Sequence, residues 1–272
     1  AYLLKAMAQL RSGGGSFNGE APVVELEAES LEHVHLFVTC MVDAFYPSVG
    51  MAVVEILEAQ GIGVEFSCDQ TCCGQPAFSG GFWNDARAMA RHTLDVFSRT
   101  AGPIVVPSGS CADMIVHQYP ELLREDVEYV SKAQDVAART YELTQFLVDA
   151  MGLSDVGASF RGRAAYHPSC HGLRGLNLRE QAQTLLAHVD GMEQVELPWA
   201  EECCGFGGLF SVTMSAISGA ILERKLDHLI ASGADLLVGS DVSCLMHMAG
   251  GLQRRGSQIA VKHIAEILNE HG

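Results

Sequence analysis

The sequence contains few basic residues: 17 Lys and Arg stand against 33 Asp and Glu, and the formal net charge is −16. Nucleic-acid binding needs clustered cations that neutralise phosphates, and docking on an anionic membrane surface needs the same cations. The composition therefore argues against both kinds of partner. The sequence also lacks a run of about 18 apolar residues, so we expect no membrane-spanning helix.

We also expect that the N-terminal segment is not a secretion signal. Residues 1–15 predict a short amphipathic helix and a glycine hinge, without the apolar region that precedes a cleavage site. We therefore expect a cytoplasmic protein, and in that reducing compartment cysteines serve as metal ligands or redox groups more often than as disulfides. Hydrophobic residues make up 48% of the chain and charged residues 18%, which is typical of a globular protein.

Eight of the nine cysteines form two sets with nearly the same spacing. The first set has the pattern Cys-x31-Cys-Cys-x37-Cys and the second has the pattern Cys-x32-Cys-Cys-x39-Cys, with glycine after each cysteine pair. The interval between equivalent cysteines of the two sets is therefore almost constant, which indicates a duplicated unit. The two sets are Cys40, Cys72, Cys73 and Cys111, and Cys170, Cys203, Cys204 and Cys244.

Predicted strands and helices alternate in both halves of the chain. The predicted strands are 34–39, 62–66, 104–106, 164–166, 195–197 and 236–238, and the predicted helices include 50–60, 84–99, 180–189 and 215–231. This order predicts an α/β protein of two pseudo-symmetric repeats, each a parallel sheet flanked by helices. The loops that follow parallel strands open at the carboxyl edge of the sheet, so each cysteine set is expected to converge there as a cluster site. We expect an N-terminal extension over 1–32, a first repeat domain over 33–155 and a second over 156–272.

Four thiolates on separate loops suit a soft metal centre, either zinc or an iron–sulfur cluster. Adjacent Cα atoms are only about 3.8 Å apart, so neighbouring cysteines fit a single zinc ion awkwardly and reach two irons of a cluster more easily. Buried apolar cysteines or a vicinal disulfide switch would explain neither the repetition nor the loop positions. We therefore predict one cluster in each repeat, with zinc in one or both sites as the alternative.

Glycines accompany both cysteine pairs. Gly74, Gly205 and Gly207 allow tight turns and a close approach of backbone N–H groups to cluster sulfurs, so we predict that they help to bind the cofactor. No Ser-His-Asp arrangement and no paired-carboxylate motif stands out, and we predict no catalytic residues. Cys68 has no counterpart in the second half, and we expect it to be a packed thiol.

Two histidines close to the second cysteine set are ambiguous. His247 lies three residues after the last cysteine, on the first turn of a predicted helix, and is an additional candidate ligand. A position at the edge of the site or in the core is the simpler interpretation of this residue. His167 precedes Pro168, and we interpret it as a hydrogen-bond donor.

The motifs around the cysteines resemble those of the cysteine-rich CCG domain family. They read Cys-Cys-Gly-Gln-Pro at 72–76, Pro-Ser-Gly-Ser-Cys at 107–111, Cys-Cys-Gly-Phe-Gly-Gly at 203–208 and Ser-Cys-Leu-Met-His at 243–247. The resemblance runs from about residue 34 to residue 270. It implies an iron–sulfur subunit that transfers electrons in L-lactate oxidation, with a larger partner subunit that carries ferredoxin-type motifs and a third small subunit. Iron–sulfur subunits of glycolate oxidase and glycerol-3-phosphate dehydrogenase are also similar, so the electron donor stays open.

The sequence departs from the richer family members in one respect. Those members end each repeat with Cys-x-x-Cys and supply five thiolates to a non-cubane cluster, whereas here Met114 and His247 occupy the last position. Four thiolates are sufficient for a [4Fe–4S] cluster, which we expect in each repeat. A zinc-stabilised scaffold subunit that passes no electrons is the alternative from a different class.

Overall fold

The computed structural model describes residues 31–271, which form two four-stranded sheets. Every strand pair is parallel, and the strand orders are β2-β1-β3-β4 and β6-β5-β7-β8. The predicted α/β class and the pseudo-symmetric repeats are confirmed. The predicted N-terminal helix and residues 1–30 of the predicted extension lie outside the described residues, and the domain boundaries stay a prediction.

The strands largely follow the sequence pattern, with three differences. They are β1 His33–Leu36, β2 Gly63–Glu65, β3 Ile104–Val106, β4 Thr140–Glu142, β5 Ser159–His167, β6 Asp190–Val195, β7 Leu236–Gly239 and β8 Ala260–His263. The prediction for β6 was wrong in position, because this edge strand is largely exposed and carries polar residues instead of an apolar run. The short strands β4 and β8 were not predicted, since three or four residues with mixed polarity leave no period to detect.

Helices connect the strands in both halves. They are α1 Cys40–Phe45, α2 Pro47–Ala59, α3 Gln75–Ser79, α4 Trp83–Phe97, α5 Gly109–Asp113, α6 Tyr119–Leu122, α7 Val130–Ala138, α8 Leu143–Gln145, α9 Gln181–Leu186, α10 Phe210–Thr213, α11 Ser215–Ala231, α12 Val242–Arg254 and α13 Ile264–Leu268. Three π-helical turns, Met114–Gln118, Phe146–Ala150 and His171–Gly175, interrupt this pattern. Within residues 31–271, no helix combines the length and the apolar character that crossing a bilayer requires.

The two sheets share one apolar core. Successive residues of a strand point to opposite faces, and in β3 Val105 belongs to one buried cluster whereas Ile104 and Val106 belong to another. The cluster that contains Val105 also includes Leu236 and Val238 of β7. In addition, α13 of the second half packs on α2 of the first. The halves are therefore joined through a common core, and each sheet carries a further apolar cluster of its own.

The duplication extends to the hydrogen bonds that start the first helical turn of each half. The Thr39 hydroxyl accepts a hydrogen bond from the Val42 N–H at 3.3 Å, and the Ser169 hydroxyl accepts one from the Gly172 N–H at 3.0 Å. Thr39 and Ser169 immediately precede the first cysteine of each set. Equivalent side chains thus cap equivalent turns, which supports residue-by-residue comparison of the halves.

Candidate metal centres

The first cysteine set converges at the carboxyl edge of the first sheet. Cys40 begins the helix after β1, the pair Cys72 and Cys73 follows β2, and Cys111 lies in α5 after β3. The Sγ atoms of Cys40 and Cys72 are 3.5 Å apart, and those of Cys73 and Cys111 are 3.3 Å apart. Because β1 and β3 are neighbours at the point where the strand order reverses, the thiols flank the crevice in which α/β sheets bind ligands.

The second set converges in the same way. Cys170 follows β5, the pair Cys203 and Cys204 follows β6, and Cys244 lies in α12 after β7. The Cys203 thiol contacts those of Cys170 and Cys204, and the Cys204 thiol contacts that of Cys244. All eight cysteines named by the repeat are therefore brought together in two groups of four, and no disulfide joins any of them.

Within each group of four cysteines, the pKa values of the thiols differ. Hydrogen bonds from Cys40 and Cys73 outweigh burial and lower the pKa of Cys72 to about 3. In the second half, hydrogen bonds from Cys170 and Cys204 lower the pKa of Cys203 to about 2. The first cysteine of each pair is thus a thiolate at neutral pH. Hydrogen bonds to neighbouring sulfurs and burial raise the pKa values of Cys40 and Cys73 in the first half and of Cys170 and Cys204 in the second. A soft metal that binds all four sulfurs would displace the remaining protons.

The glycines beside the pairs have left-handed backbone conformations, with φ of 84° at Gly74, 91° at Gly205 and 53° at Gly207. A Cβ at Gly205 would lie 2.6 Å from the Ser218 carbonyl oxygen, so this turn tolerates only glycine. Two backbone N–H groups also point at sulfur: that of Gly205 donates to Cys203 Sγ at 3.3 Å, and that of Phe206 to Cys204 Sγ at 3.5 Å. The turn after the second pair therefore places N–H donors on the sulfurs.

The two centres are linked by reciprocal contacts across the halves. Asp241 from the second half accepts a hydrogen bond at 2.9 Å from the N–H of Ser110, which precedes the last cysteine of the first set. Asp113 from the first half lies 2.6 Å from Nδ1 of His171, which follows the first cysteine of the second set. Although burial opposes it, hydrogen bonds from His117 and His171 lower the pKa of Asp113. Each half thus supports the cysteine loop of the other.

A close backbone approach accompanies these contacts. A Cβ at Gly109 would lie 2.7 Å from Ser169 Oγ and 2.9 Å from the backbone nitrogen of Gly172. The loop before Cys111 can therefore press against the turn around Cys170 only because residue 109 has no side chain. The cysteine-bearing segments of the two halves are in direct contact.

Two other residues considered from the sequence are not among the converging ligand atoms found in residues 31–271. His247 Nε2 is 3.4 Å from Ser218 Oγ, and the centroid of its ring is 5.8 Å from that of Phe206. It does not belong to the group whose ligand atoms converge, and its role as an additional ligand stays a prediction. Cys68 lies outside both sets as expected, but the prediction that it is packed was wrong, because it is exposed.

Comparison with known proteins agrees with this arrangement. The cysteine-rich CCG domain matches the chain twice, over residues 34–116 and 164–249. The chain belongs to the CCG cysteine-rich domain family. The resemblance inferred from the motifs is confirmed, and the two matches coincide with the two cysteine groups.

Several relatives of this CCG protein carry the name Lactate utilization protein A. The one from Shouchella clausii (strain KSM-K16) is 48% identical over 237 residues, which are 87% of this chain and 98% of the relative. The one from Geobacillus thermodenitrificans (strain NG80-2) is 49% identical over 236 residues, again 87% and 98%. Among solved structures, a hypothetical protein from Helicobacter pylori superposes with a TM-score of 0.62 at 12% identity. That match covers 97% of this chain and 53% of the other, and it shows the fold alone.

Two buried polar residues lie beside the second centre of the CCG protein, and their burial was not predicted from its sequence. The prediction that His167 donates a hydrogen bond was wrong, because neither of its ring nitrogens has a partner among the described residues. His167 ends β5 with 1% exposure, and burial lowers the pKa of its imidazole to about 3, so the ring is neutral. Lys225 of α11 is also 1% exposed, and burial lowers its pKa to about 8. Its Nζ donates to the carbonyl oxygens of Trp199 and Ala200 at 3.0 and 2.7 Å. A comparison with the equivalent positions of the first half, Phe37 and Thr93, could have drawn attention to both residues in the sequence.

Proposed function

We propose that each group of four cysteines holds an iron–sulfur cluster, one [4Fe–4S] cluster in each half, and that the chain transfers electrons in the cytoplasmic oxidation of L-lactate. The observation that carries this proposal is the convergence of two equivalent sets of four thiols, from separate loops, at the carboxyl edges of two sheets. Bound clusters would supply one-electron redox chemistry. Lactate is proposed because the relatives described above are named for lactate utilization.

The residues fit such a group chemically. Thiolates are the ligands that iron–sulfur clusters take, and each half provides four cysteine sulfurs that a cluster can bind as thiolates. The N–H groups of Gly205 and Phe206 point at sulfur, and such hydrogen bonds tune the reduction potential of a cluster. The contacts between Asp241 and Ser110 and between Asp113 and His171 hold the two cysteine loops against each other. That proximity favours electron transfer between the halves.

The proposal includes partners. Lactate oxidation requires a group that takes two electrons and two protons from the 2-hydroxy acid, and no catalytic residue set is assigned to this chain. We therefore expect that a larger subunit with ferredoxin-type motifs and a third small subunit complete the system, and that this chain passes electrons between them.

The first test is anaerobic purification of the full chain followed by iron, acid-labile sulfide and zinc analysis. We expect about eight irons and eight sulfides per chain, since two cubane clusters hold four of each. About two zinc ions with negligible sulfide would instead support the zinc-stabilised scaffold. Iron equivalent to one cluster would restrict the proposal to one half.

The second test concerns the partners. The isolated, cluster-loaded chain is expected to show no lactate-dependent dye reduction, and activity should appear when the partner subunits are added. Glycolate and glycerol-3-phosphate serve as competing substrates in the same assay. Turnover of lactate by the isolated chain would contradict an electron-relay role, and a clear preference for another substrate would change the donor.

A further inference from the structure

One histidine at the second centre lacks the partner that its burial requires. His167 is almost fully buried, and neither of its ring nitrogens makes a hydrogen bond with any residue between 31 and 271. A buried polar group without a partner destabilises the folded state. Such a group in a native protein is commonly explained by an ion, a water molecule or a redox role.

The imidazole lies among the thiols. One ring nitrogen of His167 and the Sγ atoms of Cys204 and Cys244 all lie within 4.8 Å of one another. Metals such as zinc bind imidazole nitrogen at about 2.0–2.1 Å and thiolate sulfur at about 2.3 Å, so two donors on one metal are separated by at most roughly 4.5 Å. The three atoms are therefore close enough for the imidazole to bind at the same centre as the two sulfurs after a small inward movement.

The surroundings of the ring also contain an acceptor. The carbonyl oxygen of Ala200 lies beside the imidazole, without hydrogen-bond geometry toward it, and accepts instead from Lys225 Nζ at 2.7 Å. Metal-bound histidines usually donate the N–H of the second ring nitrogen to a carbonyl or carboxylate. Ala200 offers such an acceptor beside the ring.

At the first centre, the position equivalent to His167 carries a different kind of side chain. The residue equivalent to His167 is Phe37, because each of the two lies three positions before the first cysteine of its set. Phe37 is buried in the same apolar cluster as Cys73 and Cys111. A phenyl ring cannot bind a metal, so the two centres differ in their possible ligands at this position.

We propose that His167 binds the metal of the second centre directly, beside Cys204 and Cys244, so that this centre has mixed nitrogen and sulfur ligands whereas the first has sulfur ligands alone. The inference rests on the metal centres of the proposed function and specifies the donor set of one of them. A neutral imidazole suits both iron and zinc. It also adds a ligand without adding negative charge to a site that already carries four cysteines.

The test uses the anaerobically purified full chain labelled with ¹⁵N in histidine only. If iron is bound, pulsed EPR of the reduced protein should detect a histidine nitrogen coupled directly to the cluster. That coupling should disappear in His167→Phe, which installs the residue of the first half, and should persist in His247→Ala. Absence of histidine coupling in the unsubstituted protein, or its persistence in His167→Phe, would overturn the proposal.

A second measurement distinguishes ligation from hydrogen bonding. His167→Gln keeps a neutral N–H donor, and His167→Cys keeps a metal ligand. We expect His167→Phe and His167→Gln to lose metal to a chelator at least about tenfold faster than the unsubstituted protein, whereas His167→Cys should retain it. Full retention in His167→Gln would assign the histidine to hydrogen bonding and would contradict direct ligation.

Failure of the inference and failure of the proposed function give different results. If metal analysis finds zinc instead of iron and sulfide, the electron-transfer function fails, yet X-ray absorption at the zinc edge still tests His167. A nitrogen in the zinc shell that is lost in His167→Phe would support the ligand assignment on its own. An all-sulfur shell would refute it. Iron, sulfide and no histidine coupling would leave the function standing and remove His167 from the donor set.

Discussion

The two halves hold their cysteines in equivalent places but surround them with different side chains. Phe37 in the first half corresponds to His167 in the second, and Thr93 corresponds to Lys225. At the first of these two equivalent positions a phenyl ring is replaced by an imidazole, and at the other a hydroxyl group is replaced by an ammonium group. The thiol positions are thus common to both copies, whereas the polarity around them is not.

The correspondence between Thr93 and Lys225 follows from the turn glycines. A Cβ at Gly74 would lie 3.2 Å from the Cβ of Met89 in α4, and a Cβ at Gly205 would lie 3.3 Å from the Cβ of Ile221 in α11. Thr93 and Lys225 each follow the contacted residue by four positions, which is about one helical turn. The two side chains therefore occupy the same place on equivalent helices.

This comparison indicates that the groups that bind the metal and the groups that tune its reduction potential are different. Four cysteines at three strand ends are needed to hold a cluster, and both halves keep them. The potential of a cluster depends on nearby charge, hydrogen bonds and solvent exposure, and these can change without loss of the site. The second centre has a buried ammonium and a buried imidazole at the positions where the first has Thr93 and Phe37, so we expect the two proposed clusters to have different potentials.

The largest expected effect comes from removing one thiol in each half. Cys72→Ser should abolish the first cluster and Cys203→Ser the second, because a hydroxyl is a poor substitute for a thiolate toward iron. Each substitution should lower the iron content by about half and lower the thermal midpoint, since the loops lose the metal that joins them. Iron analysis and reduced-state EPR of the two variants would show which signal belongs to which half.

Cys68→Ser is the matched control for this pair, because Cys68 is exposed and lies outside both sets. It should leave both clusters in place and leave the thermal midpoint nearly unchanged. Loss of a cluster in Cys68→Ser, with full iron content in Cys203→Ser, would overturn the assignment based on the repeat.

The cysteine sites were predictable from the sequence because their spacing is repeated and needs no knowledge of packing. The strand at 104–106 was also found, since its three residues are apolar and all are buried. The shared core could not be found in the same way. Alternation in β3 shows that Val105 and Ile104 face opposite sides, but it does not show that the side of Val105 faces the second half.

The role of His167 was missed for a different reason. From its neighbours alone, a histidine before a proline is interpreted as a hydrogen-bond donor, and only the structure shows that it is buried without a partner among the described residues. Aligning the two copies places it opposite Phe37, where one half has an aromatic core residue and the other a buried polar one. The contrast between duplicated positions therefore contains information that neither copy contains alone.

A second difference between the halves concerns the residues that cap the helices after the fourth strands. Glu142 ends β4 and accepts hydrogen bonds from the N–H groups of Thr144 and Gln145, whereas His263 ends β8 and accepts one from the N–H of Ala265. Burial raises the pKa of Glu142 to about 7, and burial lowers the pKa of His263. The two caps should therefore respond to pH in opposite directions.

Glu142 is expected to make the protein less stable as pH rises. Its folded-state pKa of about 7 exceeds the ordinary value of 4.5, so the stability that it contributes is complete below the lower value and is lost as pH rises through the higher one. The difference corresponds to about 3 kcal/mol at most. Glu142→Gln keeps an acceptor for the cap, so it should raise the thermal midpoint at pH 8 and have little effect at acidic pH.

His263→Asn tests the equivalent cap of the second half, where we expect the opposite dependence of stability on pH. A histidine with a lowered folded-state pKa loses its contribution as pH falls below its ordinary value of 6.5. The Asn side chain keeps an acceptor for the cap and removes this titration, so it should flatten the acidic side of the stability profile. Thermal midpoints measured across a pH series would test both variants. If Glu142→Gln left the midpoint at pH 8 unchanged, the pKa of Glu142 would not be raised in the folded protein as expected.

The smallest expected effect is electrostatic and concerns Lys225. This ammonium interacts with the sulfurs of Cys204, Cys170 and Cys203, and a positive charge stabilises the reduced, more negative state of a cluster. At an effective dielectric constant of about 20, a unit charge several ångströms away contributes on the order of 1 kcal/mol. Lys225→Met should therefore lower the potential of the second cluster by tens of millivolts and leave that of the first unchanged.

The matched control is Thr93→Val, which changes the equivalent buried position of the first half without changing any charge. It should leave both potentials close to those of the unsubstituted protein. Redox titration followed by EPR, with the two signals assigned from the cysteine variants, measures both potentials in one sample. Lys225→Met also removes two hydrogen bonds to the Trp199 and Ala200 carbonyls, so its iron content must be checked first. An equal shift of both potentials would mean that the substitution perturbs the common core. No shift in either would show that the buried charge does not tune the second centre.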